Sequence, residues 1–270
     1  MSDIPSGSSP AFARRLRRSF TGLGELSLLF GSAVIGSFRR PFYWQEFLEQ
    51  CRTVLFSNFV PILLTGTGLG FFVSIEAGQF FKAFSSLYRL GGFEVMSNIR
   101  ELSPVATGLM VAGVSGTAIV ADLGARQVRN ELDALSVMGL SNVLFIVTPR
   151  ALALMLMTAL YNLPMIGFMM GSGFLAGHLL LGVNTGGYMA SFWSQGTVVD
   201  VVSGEVKCML FGAIVAAICI YKGVTAKGGA EGVAKAVHSG VVWCFVSISV
   251  FEYLFTPTVL ALFHSQLTLR

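Results

Sequence analysis

The chain has 270 residues, 54% of them hydrophobic and only 12% charged, with a mean hydropathy of +0.72. A soluble domain carries roughly 25% charged residues, so this sequence lacks the charge to clothe a water-facing surface of its size. Disorder, a collagen-like repeat and an ordinary cytosolic enzyme are excluded, and lipid must solvate part of the surface.

The 18 Lys+Arg exceed the 14 Asp+Glu by a net +4. They sit in short clusters between apolar stretches, with no long basic run interleaved by aromatics, which speaks against nucleic acid. Cys51, Cys208, Cys219 and Cys244 show no C-x-x-C spacing, and His178, His238 and His264 are scattered. Buried thiols are expected, with no disulfide framework, no metal site and no cofactor.

In chain order, residues 1–13 are rich in Ser, Pro and Gly and are expected to be mobile. Arg14, Arg15, Arg17 and Arg18 then precede an apolar stretch that Glu25 interrupts and Arg39-Arg40-Pro41 closes. A signal peptide would end on small residues instead. Residues 14–38 read as a basic amphipathic helix on the cytoplasmic membrane face. Phe42, Tyr43 and Trp44 anchor a second short helix, so that 14–50 form an interfacial elbow.

Residues 53–75 carry no charge, and as a helix they reach roughly 35 Å, enough to cross a ~30 Å hydrocarbon core. Pro61, Gly66, Gly68 and Gly70 imply a kinked or closely packed span. Residues 82–100 are polar and read as an external connection. The second span carries a small-residue stripe of Gly108, Ala112, Gly113, Ser115 and Gly116, which lets helix backbones approach closely. Residues 151–199 lack any Asp, Glu, Lys or Arg. They supply a third span broken by Pro164, then an outer loop holding Asn184 and the interfacial Trp193.

The expected fold is therefore an all-α integral membrane protein. An N-terminal interfacial amphipathic helix precedes about five transmembrane helices, at roughly 53–81, 101–122, 146–177, 203–222 and 236–263. With the N-terminus inside, thirteen Lys and Arg fall on the cytoplasmic side against five outside. The positive-inside rule thus places this chain in the plasma membrane with its N-terminus cytoplasmic and its C-terminus external. Glu76 and Glu252 fall near outer span ends, where interfacial anchoring is the first reading and contact with a lipid headgroup the second.

The cytoplasmic connection after span 2 carries the function. Val128, Leu132, Leu135 and Met138 recur at spacings of four, three and three, one face of a short amphipathic helix over 124–139. Arg126, Arg129, Glu131 and Asp133 occupy its other faces, and Gly139 stands where a C-terminal cap would fall. Such a helix either lies against the headgroups or seats in the cleft of a separate nucleotide-hydrolysing subunit. The chain has no G-x-x-x-x-G-K-[S/T] of its own to cradle ATP phosphates.

Several blocks carry a family resemblance. They are Arg100-Glu101-Leu102-Ser103-Pro104-Val105, Ala112-Gly113-Val114-Ser115-Gly116-Thr117-Ala118 and Ala121-Asp122-Leu123-Gly124. Asn130-Glu131-Leu132-Asp133-Ala134-Leu135, Val137-Met138-Gly139 and Pro149-Arg150 follow, then Tyr221-Lys222-Gly223-Val224-Thr225 and Lys227-Gly228-Gly229. With Arg39-Arg40-Pro41-Phe42 they make nearly the whole chain, 51–270 in particular, resemble the MlaE/YrbE permeases of ABC transporters. The likeness is greatest to the A-type YrbE subunits of actinobacterial Mce systems. Val114 stands where many members carry Arg, Asn130 where an acidic residue is common, and Ser141-Asn142 where an acidic-Pro pair is usual.

The resemblance implies a permease, not an enzyme, that pairs with a second permease of B type and a cytoplasmic ABC ATPase dimer. It also implies external MCE-domain proteins and a lipid substrate (fatty acid, mycolate, sterol or phospholipid) moved inward. Arg126, Val128, Arg129, Glu131, Leu132, Asp133, Leu135 and Met138 would couple to the ATPase. Phe71, Phe72, Phe245 and Phe251 are candidates for an acyl-chain cavity, with plain packing or lipid contact the competing reading for each. The rivals are an ion-coupled secondary transporter, a membrane-embedded enzyme and a scaffold subunit. They call respectively for midplane carboxylates, a clustered nucleophile–base pair and little substrate contact.

Overall fold

A computed structural model describes residues 43–138 and 143–262. The N-terminal stretch and the 14–38 helix expected from the sequence, the Arg39-Arg40-Pro41-Phe42 stretch and the expected Gly139 cap lie outside the described residues. Among the described residues the chain is built of helices and turns alone, and five helical stretches are long and apolar enough to cross a membrane.

Helix α1 (Trp44–Ala83) is 40 residues long. It runs without a break through Trp44 and Phe47, where a separate short elbow helix was expected. The span signal begins only after Arg52, but the backbone ladder continues unbroken through the charged first turns. Val54, Asn58, Ile62, Gly66, Gly70, Ser74 and Gly78 are its buried residues at every fourth position. This small-residue seam lies along the neighbouring helix α4 (Thr148–Leu181). A side chain at Gly66 would meet Met165 and Phe168, one at Gly70 would meet Met169 and Ser172, and one at Gly78 would meet Leu181. The paired numbers rise together, so α1 and α4 run in the same direction. Gly68 lies off the seam, with open space beside it.

A second rod, α2 (Leu87–Val128, 42 residues), occupies the interior together with α6 (Val198–Val224). Both bury about twice the share of their apolar windows that α1 does. Two stretches of α2 are wound as π-helix, Val95–Leu102 and Ala112–Gly116. Such widened turns are uncommon and concentrate at functional positions. Here they carry Asn98, Arg100, Glu101 and Ser115. The expected polar external connection at 82–100 is thus corrected: Leu90, Gly91, Gly92, Glu94, Val95, Asn98 and Ile99 are buried inside the bundle.

Short helix α3 (Glu131–Val137) follows α2. The single amphipathic helix expected over 124–139 is broken: α2 extends to Val128, and Asn130 takes a left-handed φ of 58° that separates the two pieces. Asn tolerates that conformation better than other residues bearing a side chain. Beyond α4, Gly182 closes the helix in the left-handed region, and the Val183 N–H bonds the Gly177 carbonyl. The expected outer loop is a helix, α5 (Thr185–Gln195), started by Asn184, whose side chain accepts from the Gly186 and Gly187 N–H groups.

α6 starts on a capping box in which Thr197 and Asp200 bond one another's backbone N–H. The last helix, α7 (Gly229–Leu262), follows two left-handed glycines, Gly228 and Gly229. It packs on α6 and α2 and leaves most of its surface open. The core joins these elements through Val111, Val120, Leu123, Leu154, Phe211, Val215, Cys219, Cys244 and Ile248. Gly212 lets α6 press on the Leu154 carbonyl, where a methyl group would come within 2.8 Å.

Candidate functional site

Three helix ends and the α3 connection meet at one end of the bundle. Arg150, in the first turn of α4, is almost wholly buried. Its guanidinium donates to Asp122 Oδ2 on α2 at 2.9 Å and to the Ile146 carbonyl at 3.3 Å, and lies 3.7 Å from Glu46 on α1. Asp122 Oδ1 accepts in turn from Arg126 Nε at 3.0 Å, one helical turn on. Tyr43 and Phe145 stack edge to face beside this cluster, with ring centres 4.9 Å apart. One buried cation thus ties the starts of α1 and α4 to the end of α2, and α3 hangs between the latter two. Asp122 and Arg150 were legible only as separate blocks of the sequence. Their pairing across 28 positions gave no local signal.

Within the connection, the expected contact residues divide. Leu132 is only 4% exposed and belongs to the core, and Leu135 packs partly against it. Val128 is half-buried, at the end of α2. Their periodicity marks the face by which the segment holds to its own bundle. Met138, at 67% exposed, and Val137, at 89%, present apolar surface outward beside the exposed Asp133. Arg129 Nε donates to Glu131 Oε1 at 2.6 Å, and that carboxylate raises the guanidinium further above its ordinary value. Arg126 points back to Asp122. Ser141-Asn142 lies outside the described residues.

The opposite end holds a second, deeper constellation. Arg100 Nε donates to Asp200 Oδ1 at 2.5 Å, so the α6 capping residue doubles as a counter-ion. Lys207 Nζ donates to the Arg100 carbonyl at 2.9 Å and to Glu252 Oε1 at 2.8 Å, with Glu101 Oε2 at 3.4 Å. Thr256 bridges the two carboxylates, and Phe255 offers its ring face to the ammonium at 5.6 Å. Ser103, Asn162 and Glu205 form a separate short chain of bonds, Ser103 to Asn162 and Asn162 to Glu205. Interfacial solvation, expected for Glu252, gives way to a partly buried ion pair with the buried Lys207 of α6. Glu76 alone is exposed.

The four aromatic cavity candidates are not gathered on one wall within this chain. Phe71, Phe72 and Phe245 are exposed on the outer faces of α1 and α7. Phe251 turns inward against Phe211 and Phe255.

Comparison with known proteins follows this geometry. The model of the permease MlaE family matches residues 47–258, which takes in all five long helices. A probable ABC transporter permease protein of Rickettsia bellii is 30% identical over 251 residues, 91% of this chain and 95% of its own. The chloroplastic protein TRIGALACTOSYLDIACYLGLYCEROL 1 of Arabidopsis thaliana is 30% identical over 85% of this chain and 65% of its own length. The intermembrane phospholipid transport system permease protein MlaE of Haemophilus influenzae is 25% identical over 91% of this chain and 95% of its own. An all-helical membrane bundle whose matched region includes both ion-paired ends places this chain in the MlaE permease family.

Proposed function

We propose that this chain is the membrane-spanning subunit of an Mce-type ABC transporter that carries lipid inward across the plasma membrane. It pairs with a second, B-type permease and with external MCE-domain proteins, and a separate cytoplasmic ATPase dimer drives it. The supporting observation is the Arg150 staple. α3 follows directly on the end of α2, which one buried cation, held by Asp122 and Glu46, ties to α1 and α4. The excess of Lys and Arg on this side of the spans argues for a cytoplasmic location, with the N-terminus inside.

Seated in the ATPase cleft, Val137 and Met138 supply the apolar contact, while Asp133 and the Arg129–Glu131 pair set register by charge. Leu132 and Leu135 anchor the lever from behind. The open faces of α1 and α7, with Phe71, Phe72 and Phe245, are available to line an acyl-chain path closed by the second permease. The specific lipid follows from what is bound.

The test is to purify the chain with its co-expressed neighbours, identify the ATPase and bound lipid, and compare Glu131→Lys/Asp133→Lys with the parent. The variant is expected to weaken ATPase binding about tenfold or more, the effect of roughly 1.4 kcal/mol. It should also uncouple hydrolysis from lipid movement. Unchanged coupling would overturn the lever. The Lys207–Glu101–Glu252 group, with its buried ammonium, favours a second reading, an ion-coupled carrier. Lipid uptake driven by a proton gradient without ATP would support that reading instead.

A further inference from the structure

We infer that the buried oxygen cluster around Glu94 binds a small monovalent cation of sodium's size, held by oxygens of Glu94, Asn98, Ser74 and Gly173. Glu94 and Asn98 are both fully buried, one turn apart on α2. Among the described residues no Lys, Arg or His lies within ion-pair distance of the Glu94 carboxylate. Its Oε2 accepts from the Tyr188 hydroxyl of α5 at 2.7 Å, while its Oε1 and the Asn98 Oδ1 are buried with no hydrogen-bond partner.

Both side chains face the same stretch of α4. The Asn98 amide nitrogen lies 3.9 Å from Met170 Sδ, and three residues on, Gly173 lies directly against the carboxylate. A methyl group there would fall 2.5 Å from Oε2 and 3.0 Å from Oε1, so only glycine allows this approach. From α1, Ser74 Oγ donates to the Gly173 carbonyl at 2.7 Å and also faces Glu94. Both oxygens keep lone pairs free.

A buried carboxylate with no cationic side chain needs one positive charge from elsewhere. Unpaired buried oxygens are the usual mark of an ion or water. A single carboxylate matches a single charge, whereas a divalent ion would call for more acidic ligands. No group of three His, Cys, Asp or Glu stands among the described residues. Hard, neutral oxygens complete such a site.

The other titratable groups nearby do not compete. Burial, then the Glu94 carboxylate, pushes the Tyr188 phenol well up, so it remains a donor. His178 on α4 stacks on Phe174 with its Nδ1 3.2 Å from the Val183 carbonyl, and Glu76 on α1 is exposed. The bound ion would join α1, α2 and α4 directly, and α5 through Tyr188. This inference is independent of what the chain transports.

Thermal unfolding of the purified full chain, with its co-purifying subunits, tests the site in sodium chloride against choline chloride of equal ionic strength. Sodium should raise Tm saturably by about 3–5 °C. The rise should vanish in Glu94→Gln. A parent protein indifferent to sodium, or a Glu94→Gln variant that keeps the response, overturns the proposal. Stability that follows pH alone, whatever the sodium concentration, identifies a proton as the neutralising charge and overturns it equally. Should Glu94→Gln not fold, Asn98→Leu keeps the carboxylate and should lower sodium affinity about tenfold. Unaltered affinity in that variant counts against the site.

Discussion

At the Arg150 end of the bundle one buried cation meets carboxylates that still touch water: the Arg150 side chain is 4% exposed, that of Asp122 42%. At the Lys207 end two carboxylates are withdrawn further, Asp200 to 1% and Glu252 to 18%, while Glu101 keeps 40%. The first arrangement can lose a partner and let water replace it. At the second, Asp200 and Glu252 cannot, because either orphaned charge has mainly protein and lipid around it. The end proposed to move with an external motor and the end that holds helices together therefore use ion pairs at different depths.

The sharpest way to break this contrast is Lys207→Met. It strands Glu252 and should cost about 3–5 kcal/mol, read as a large drop in Tm or in folded yield. Adding Glu252→Met should recover much of the loss, since a well-packed apolar pair can replace a buried ionic one. Failure to recover would mean that Lys207 matters for more than charge balance. Arg150→Met should cost less, about 1–3 kcal/mol, because Asp122 regains water. Equal costs at the two ends would erase the distinction. The exposed Glu231–Lys235 pair on α7 sets the floor: Lys235→Ala should shift stability by no more than about 0.5 kcal/mol.

The five crossings were legible because runs without charge can hardly be anything else at this length. The first four turns or so of α2 were not. Glu94 and Arg100 read as solvent-facing, and what buries them is Tyr188 and Asp200, about a hundred positions away. The connection after α2 shows the reverse difficulty. Val128, Leu132 and Leu135 keep helical spacing across the break at Asn130, so periodicity alone joined two helices into one. A residue suited to left-handed backbone was the signal that could have divided them. The same periodicity marked a buried face correctly but could not say against what it is buried, which is why Leu132 was expected outward. Gly66 and Gly70 were legible as packing residues, and Gly68 between them was not separable without the seam.

The π winding of Ala112–Gly116 has a consequence for how α2 can change in evolution. A π turn holds one residue more than an α turn spanning the same place. Dropping Gly113, which has open space around it, would let the turn relax to ordinary winding while the helix on either side keeps its facing. Outside the two π stretches a one-residue deletion would rotate everything beyond it by about 100°. This turn is one of two places where the rod carries spare length.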